Sequence, residues 1–305
     1  MTRTITRSLL VFSLSLISTT WLLAQTPSAD RFLDGMAARP ARDEVEQNQA
    51  GEISQTLTIA PASEVERVIP AVLMHLRSGS KAPERGYAAV FLYMIAIRPD
   101  GAALLSAKAE EISSMILDTD PQVQRGALLA MDWVIGKPET NNKLYLSALQ
   151  TALQKPQVPQ DAGLEMIGPL LTFRGSDPDT LKSVLAFLHR DDLTASMRME
   201  LVHELGVDHA VPEEVNQYLV KLLDDPDPHV RASALVAFAD STTAYNTLGK
   251  DRVQRIGNDP QEIQGIRELA RDAIAGKTNL SPNYDLPPLV LDPKTGAVPQ
   301  KLKDE

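Results

Sequence analysis

Two stretches of the sequence decide the fold: DTDPQVQRGALLAM at residues 118–131 and DPDPHVRASALVAF at residues 225–238. Of the fourteen aligned positions, seven are identical. The identical pairs are Asp118/Asp225, Asp120/Asp227, Pro121/Pro228, Val123/Val230, Ala127/Ala234, Leu128/Leu235 and Ala130/Ala237. The second stretch begins 107 residues after the first, which corresponds to three repeats of about 36 residues, a length typical of two-helix solenoid repeats. The sequence therefore contains an internal repeat.

Both stretches carry residues that begin a helix and pack it against a neighbour. Asp120 and Asp227 are suited to cap a helix N-terminus, and the proline after each suits the first helical position. Ala127 and Ala234 are small enough to let two helices approach closely. Each stretch therefore predicts the start of one helix and its packing on the helix before it.

Apolar residues recur at helical spacing from about Ser63 to residue 275. The predicted helix pairs are 64–76 with 84–97, 102–117 with 121–135, 143–154 with 159–173, 178–190 with 194–205, 213–224 with 228–240, and 243–256 with 260–275. Neither helix of such a pair buries its apolar face alone, so stacking of pairs is expected. The sequence predicts an all-α solenoid of about six antiparallel helix pairs over residues 63–276.

The run from 225 to 235 closely resembles the second-helix signature of HEAT repeats. In that family an aspartate in the inter-helix turn and an arginine early in the second helix form a ladder between neighbouring repeats. The resemblance implies that Asp227 and Arg231 belong to such a ladder, with Asp120 as the earlier counterpart of Asp227. Gln124 stands at the position equivalent to Arg231, and Arg125 lies one step further round the helix, so a continuous ladder is not expected.

The N-terminus predicts export. Arg3 and Arg7 precede an uncharged, largely apolar run from Ser8 to Ala24, which is the pattern of a secretory signal peptide. We predict a signal peptide over residues 1–24 and a protein that is exported, either periplasmic or secreted. An uncleaved membrane anchor is the alternative, which five Ser and Thr residues between 13 and 20 disfavour. After cleavage we expect no association with a membrane.

The two segments that flank the helical region have a different composition. Residues 25–62 are predicted to form a flexible leader, although alternating polarity over 53–59 is also compatible with a short strand. Beyond Gly276 the chain is too rich in proline to continue the helices. The prolines are Pro282, Pro287, Pro288, Pro293 and Pro299. Residues 277–305 are therefore predicted to form an extended tail alongside the last repeat.

Composition restricts the possible partners and chemistry. The formal net charge is −10 and the sequence contains no cysteine. An acidic chain without a basic stripe is a poor candidate for nucleic-acid binding, because phosphate recognition relies on clustered Lys and Arg. The absence of cysteine excludes disulfides, thiolate nucleophiles and Cys-ligated zinc. The expected partner is a protein or peptide, with basic character favoured by the acidic charge.

Two local patterns imitate reactive sites without the context that those sites require. His203, Glu204, Asp208 and His209 are metal-type ligands, but the histidines are six residues apart rather than one helical turn. The short segments at 78–81, 281–283 and 294–296 imitate the three motifs of penicillin-binding serine enzymes, which require a mixed sheet-and-helix fold. We therefore predict no catalytic, metal-binding or cofactor-binding residues.

Three aromatic residues bear on binding. Tyr93, Trp133 and Tyr145 fall on predicted helices, where each is either a core residue or, if exposed on the inner face of the solenoid, a binding anchor. The sequence favours a non-enzymatic protein interaction scaffold. The alternative is an enzyme or enzyme accessory of lyase type, because some HEAT-like proteins are known as lyases or glycosylases. The sequence leaves the oligomeric state open.

Overall fold

The computed structural model of the chain describes residues 29–38, 43–206, 211–241, 244–281 and 286. Within these residues the chain forms fifteen helices and no strand. The helices are α1 Ala29–Ala38, α2 Asp43–Ile59, α3 Ala62–Ser78, α4 Ala82–Ala96, α5 Gly101–Ser106, α6 Ala109–Ile116, α7 Pro121–Val134, α8 Asn142–Leu153, α9 Gln160–Arg174, α10 Pro178–Leu188, α11 Ala195–Gly206, α12 Glu213–Leu222, α13 Pro228–Asp240, α14 Ala244–Asn258 and α15 Gln264–Ile274.

The helices stack in two rows. The first helices of the successive pairs are α1, α3, α5 with α6, α8, α10, α12 and α14, and each contacts the next along the chain. The second helices are α2, α4, α7, α9, α11, α13 and α15, and they also contact each other in succession. Arg174 at the end of α9 donates to the carbonyl of Lys143 near the start of α8, which shows the antiparallel arrangement of that pair. Over the residues that the structure describes, the architecture is an all-α helical repeat solenoid of seven helix pairs.

One continuous apolar core runs through the stack. Its buried side chains form a single cluster that extends from Ala29 in α1 to Ala273 in α15. The largest fully buried side chains are spread along the chain rather than concentrated at one centre, as expected when each pair packs only on its neighbours. They include Phe91, Tyr145, Phe187, Phe238 and Tyr245. The described residues contain no helix that is both long and apolar enough to cross a membrane.

The predicted helix pairs match the observed ones, except that the helix expected over 102–117 is divided into α5 and α6. The hydroxyl of Ser106 donates to the Ala103 carbonyl at 2.8 Å, which offers the backbone a local alternative to the helical bond. The amide of Lys108 then bonds to the Leu105 carbonyl, three residues back. The first helix of this pair is therefore two short helices joined by a tight turn.

The leader predicted over residues 25–62 is helical where the structure describes it. Helices α1 and α2 form a further pair at the start of the stack, and the short strand considered for 53–59 lies within α2. Leu33 and Ile53 are buried, and the ring of Phe32 packs edge-on against Phe91 of α4. A small number of buried apolar side chains therefore packs α1 and α2 against the core. The predicted signal peptide, residues 1–24, lies outside the described residues, as does the tail beyond 281 apart from Leu286.

Candidate interaction surface

The repeat signature occupies the starts of two second helices. Asp120 caps α7 by accepting the amides of Gln122 at 2.8 Å and Val123 at 3.3 Å, and Asp227 caps α13 by accepting the amide of His229 at 2.8 Å. The prolines at the first position of each helix are Pro121 and Pro228. The remaining signature residues Val123, Ala127, Val230 and Ala234 are buried between helices.

Three ion pairs link successive helix pairs near the second helices. They are Arg85 with Asp120 at 3.3 Å, Arg198 with Asp225 at 2.7 Å, and Arg231 with Glu262 at 2.7 Å. The resemblance to HEAT repeats implied a ladder containing both Asp227 and Arg231. In the structure Arg231 instead donates to the Asp225 carbonyl and pairs with Glu262 of the following turn, because the Asp227 carboxylate is turned toward its own helix cap.

The series of ion pairs is interrupted in the middle of the stack. The side-chain amide of Gln124 is buried and donates to the Ile116 carbonyl at 2.9 Å within its own pair. At the next step Gln160 takes the linking role, donating to the Asp192 carbonyl at 2.7 Å and accepting the Thr194 amide at 3.2 Å. The hydrogen bonds of Gln160 thus take the place of an ion pair at this step and, like the three ion pairs, join neighbouring repeats.

A buried histidine that the sequence reading did not single out joins α1 to the next pair. Nδ1 of His75 lies 2.6 Å from Oε1 of Glu84, and its Nε2 lies 3.0 Å from Oδ1 of Asp34. Ionised carboxylates only accept hydrogen bonds, so two such contacts require a doubly protonated ring or one protonated carboxyl group. Ser80 contacts Glu84 rather than His75. The His75 side chain therefore links α1, through Asp34, to α4, through Glu84.

Both reactive-looking patterns lie partly outside the described residues, which do not include 282–283 or 294–296. His203 and Glu204 are exposed on the last turn of α11, while Asp208 and His209 lie outside the described residues. Nζ of Lys81 donates to the carbonyls of Met36 and Ala37 at the end of α1. Over the part of the chain that the structure describes, there is no group of three or more His, Asp or Glu residues placed to hold a metal ion.

An exposed row of aromatic side chains lies at one end of the second helices. Tyr93, Trp133 and Phe173 occupy the last turns of α4, α7 and α9, which are successive second helices. Trp133 is 44% exposed, Phe173 is 46% exposed and Tyr93 is partly buried. The rings of Tyr93 and Trp133 meet edge to face with centroids 6.2 Å apart. We call these three residues the aromatic strip.

A glycine allows Phe173 to join the strip. Gly136 follows α7 with φ at +83°, a left-handed conformation that favours glycine. A Cβ atom at this position would lie 2.8 Å from the Phe173 ring, so the ring rests directly on the turn three residues after Trp133. Val90, one helical turn before Tyr93, is also 42% exposed. The strip therefore presents apolar surface across three repeats.

Tyr145, the third aromatic residue considered from the sequence, is fully buried in α8 and belongs to the core. Exposed clusters of large aromatic side chains are typical of interaction sites, because they release much apolar area when a partner covers them. An open cleft of about 630 Å³ lies elsewhere. Its lining is polar and consists of Asp251, Gln254, Arg255, Asn258 and Asp259. The aromatic strip is therefore the candidate functional surface.

Comparison with known proteins gives structural similarity alone. No protein-family model matches the sequence, and no curated protein matches it. Among solved structures, the chain is similar to an engineered protein of the Northeast Structural Genomics Consortium, with 17% identity and a TM-score of 0.40 over 81% of this chain and 67% of the other. It is also similar to a designed armadillo repeat protein, with 13% identity and a TM-score of 0.34 over 82% and 99% of the two chains.

A third similar structure belongs to computationally designed armadillo repeat proteins for modular peptide recognition. The identity is 14% and the TM-score is 0.33, over 81% of this chain and 98% of the other. The assignment of a helical repeat solenoid rests on the order and contacts of the chain's own helices.

Proposed function

We propose that this protein is an exported, non-enzymatic scaffold of the HEAT-like kind that binds a partner protein through the aromatic strip. The observation that carries the proposal is the position of Tyr93, Trp133 and Phe173 at the same end of three successive second helices. Isolated surface hydrophobics are ordinary, whereas two nearly half-exposed aromatic rings in a row with a third, partly buried one are not. Such rings are the side chains that most often anchor a protein interface.

The HEAT-like assignment is supported by the inter-repeat links. Two second helices begin with an Asp-Pro cap, at Asp120 and Asp227, and three arginines pair with a carboxylate of the next turn. These features correspond to the family's capped second helix and its arginine ladder, although the arginine partners differ from those that the motif implies.

The spacing of the strip favours an extended partner segment. Neighbouring packed helices are about 8–10 Å apart, and a polyproline II segment advances about 9 Å in each three-residue turn. A partner with an apolar residue at every third position would place one side chain at each second helix that carries the strip. The net charge of −10 favours a basic partner, because opposite charge accelerates encounter.

Site-specific crosslinking tests the proposed surface. A photoreactive phenylalanine analogue replaces Trp133 in the full chain, expressed in an exporting host, and Leu248 provides the control because it is 41% exposed on α14, in the row of first helices. We expect a discrete crosslinked protein from position 133 and not from 248. Identical products from both positions would remove the support for the strip.

Affinity measurement with the purified crosslinked partner gives the second test. We expect Trp133→Ala to weaken binding by about 30-fold or more, as truncation of an interface anchor does, and Leu248→Ala to leave it unchanged. Export is checked on the same preparation by N-terminal sequencing, with Gln25 expected as the first residue. A full-length chain retained in the cytoplasm would contradict the proposed localisation.

A further inference from the structure

The chain turns back on itself after the last helix. At the end of α15 the amide of Lys277 bonds to the Asp272 carbonyl, and the amide of Gly276 bonds to the Ala273 carbonyl. Gly276 has φ at +79°. This is the Schellman arrangement, which ends a helix and reverses the direction of the chain.

The reversed chain runs back toward the previous helix pair. The amide of Asn279, itself left-handed with φ at +53°, donates to Oδ1 of Asp240 at 2.7 Å. Asp240 is the last residue of α13, so this contact lies at the end of the second helices that carries the aromatic strip. Leu280 and Leu286 are partly buried against the core. The start of the tail is therefore directed along the row of second-helix C-termini.

The remaining tail is long enough to reach the strip. From α13 the row continues through α11 to α9, α7 and α4, so the strip begins about 20 Å away and ends about 40 Å away at the usual helix spacing. An extended or polyproline II chain covers about 3 Å per residue. About 14 residues after Asn279 therefore span the whole distance, which brings the chain to residue 293.

The sequence of this part of the tail has apolar residues at a period that matches the usual spacing of neighbouring packed helices. Pro287, Val290 and Pro293 recur at every third position, which aligns them on one side of a polyproline II helix. Three residues of such a helix advance by about the distance between neighbouring second helices. Residues 287–293 lie outside the described residues.

We propose that residues 287–293 bind the aromatic strip of their own chain, with Pro287 against Phe173, Val290 against Trp133 and Pro293 against Tyr93. Proline and valine on aromatic rings form the type of contact that proline-rich segments make with aromatic-lined grooves. The inference goes beyond the proposed function, because the tail covers the strip whether or not an outside partner exists. Where a partner does exist, it must displace a segment whose effective concentration is about millimolar.

Fluorescence of Trp133 tests this contact in the full chain. The sequence has two tryptophans and no cysteine, so Trp21→Phe leaves Trp133 as the single tryptophan and one introduced cysteine gives a unique label. Asp292→Cys carries a nitroxide, which quenches tryptophan emission at close contact. Lys250→Cys on exposed α14 carries the same label as the control.

We expect strong quenching from the label at 292, none from the label at 250, and loss of the quenching when Val290→Asp is added. Circular dichroism of each variant verifies that the helices are unchanged. Quenching that grows with protein concentration and appears when labelled Trp133→Phe chains are mixed with unlabelled ones would mean that a second copy supplies the tail. Unquenched emission that Val290→Asp does not alter would overturn the proposal, while leaving partner crosslinking at position 133 as an independent result.

Discussion

At the residue scale, two buried tyrosines differ in whether the phenol hydroxyl has a hydrogen-bond partner. Tyr145 and Tyr245 are both fully buried, and burial raises the pKa of each phenol well above its usual range. The Tyr245 hydroxyl donates to the Ala234 carbonyl at 2.8 Å. Among the residues that the structure describes, the Tyr145 hydroxyl has no hydrogen-bond partner. One hydroxyl is therefore compensated for the loss of water and the other is not.

Replacing each tyrosine by phenylalanine should separate the two cases. We expect Tyr245→Phe to reduce the free energy of unfolding by about 1 kcal/mol, because a buried hydrogen bond is lost. Tyr145→Phe should leave it unchanged or raise it by about 1 kcal/mol, because an unpaired polar atom is removed. Urea denaturation followed by circular dichroism measures both. Equal losses in the two variants would show that the Tyr145 hydroxyl is bonded after all.

At the element scale, helix α9 contains two glycines with different surroundings. Gly163 faces α10 so closely that an added Cβ atom would overlap the ring of Phe187. Nothing lies within 4 Å of a Cβ atom added at Gly168. The first glycine thus sets the distance between two helices, whereas the second only lowers the helix propensity of α9.

We expect Gly163→Ala to destabilise the protein by about 1–3 kcal/mol, because the packed ring must move. Gly168→Ala should cost no more than about 1 kcal/mol, because the helix preference of alanine opposes the contact of its Cβ atom with the following Pro169. Thermal unfolding of the two variants checks the difference. A stabilising Gly163→Ala would mean that the α9–α10 contact is looser than described.

The ion pair between Arg198 of α11 and Asp225, in the turn before α13, gives a second prediction at this scale. Arg198 binds both carboxylate oxygens of Asp225, at 2.7 and 2.9 Å, and the Asp225 side chain is only 5% exposed. Asp192, paired with Arg190, is 60% exposed. We expect Asp225→Asn to cost about 3 kcal/mol, because it leaves a partly buried arginine without its charge partner.

The matched variant Asp192→Asn should lower the free energy of unfolding by less than about 1 kcal/mol, because exposed ion pairs contribute little to stability. The comparison uses chemical denaturation at neutral pH. The prediction is wrong if the two variants lose the same free energy of unfolding, because burial of the Arg198–Asp225 pair would then have no effect on stability.

The sequence was informative where helical periodicity is dense and much less so elsewhere. The six predicted pairs match observed ones because their apolar residues recur at every turn. Helices α1 and α2 were missed because a long, largely polar stretch separates the buried Phe32 and Leu33 from the buried Ile53. The partner of Arg231 could not be predicted either, since Glu262 lies in a following turn whose spacing is not fixed by any helix period.

At the scale of the whole molecule, the aromatic strip depends on how successive repeats are stacked. Trp133 is exposed and Tyr145 is buried, although both lie on helices with similar apolar patterns. Their exposure depends on the rotation of each helix against its neighbours. The contact of Gly136 with Phe173 depends further on the turn between α7 and α8. Sequence periodicity identifies the helices but does not fix which aromatic rings come together across three repeats.

The same one-dimensional stacking predicts where unfolding should spread. Each pair contacts its neighbours, so a defect at the end of the stack should remain local and a defect in the middle should affect both sides. Phe32 packs against Tyr87 and Phe91 at the first pair, and Phe187 lies in the middle of the stack. Truncating either ring removes a comparable buried side chain, at a cost of about 3–5 kcal/mol.

Hydrogen exchange measured by mass spectrometry distinguishes the two outcomes. We expect Phe32→Ala to accelerate exchange in α1 and α2 and to leave α11 to α15 unchanged, because the end pair opens without the rest. Phe187→Ala should accelerate exchange on both sides of α10 and lower the midpoint of global unfolding, because opening there divides the continuous core. If both variants accelerated exchange uniformly from α1 to α15, the chain would unfold as one cooperative unit, and the links between repeats would be stronger than the repeats themselves.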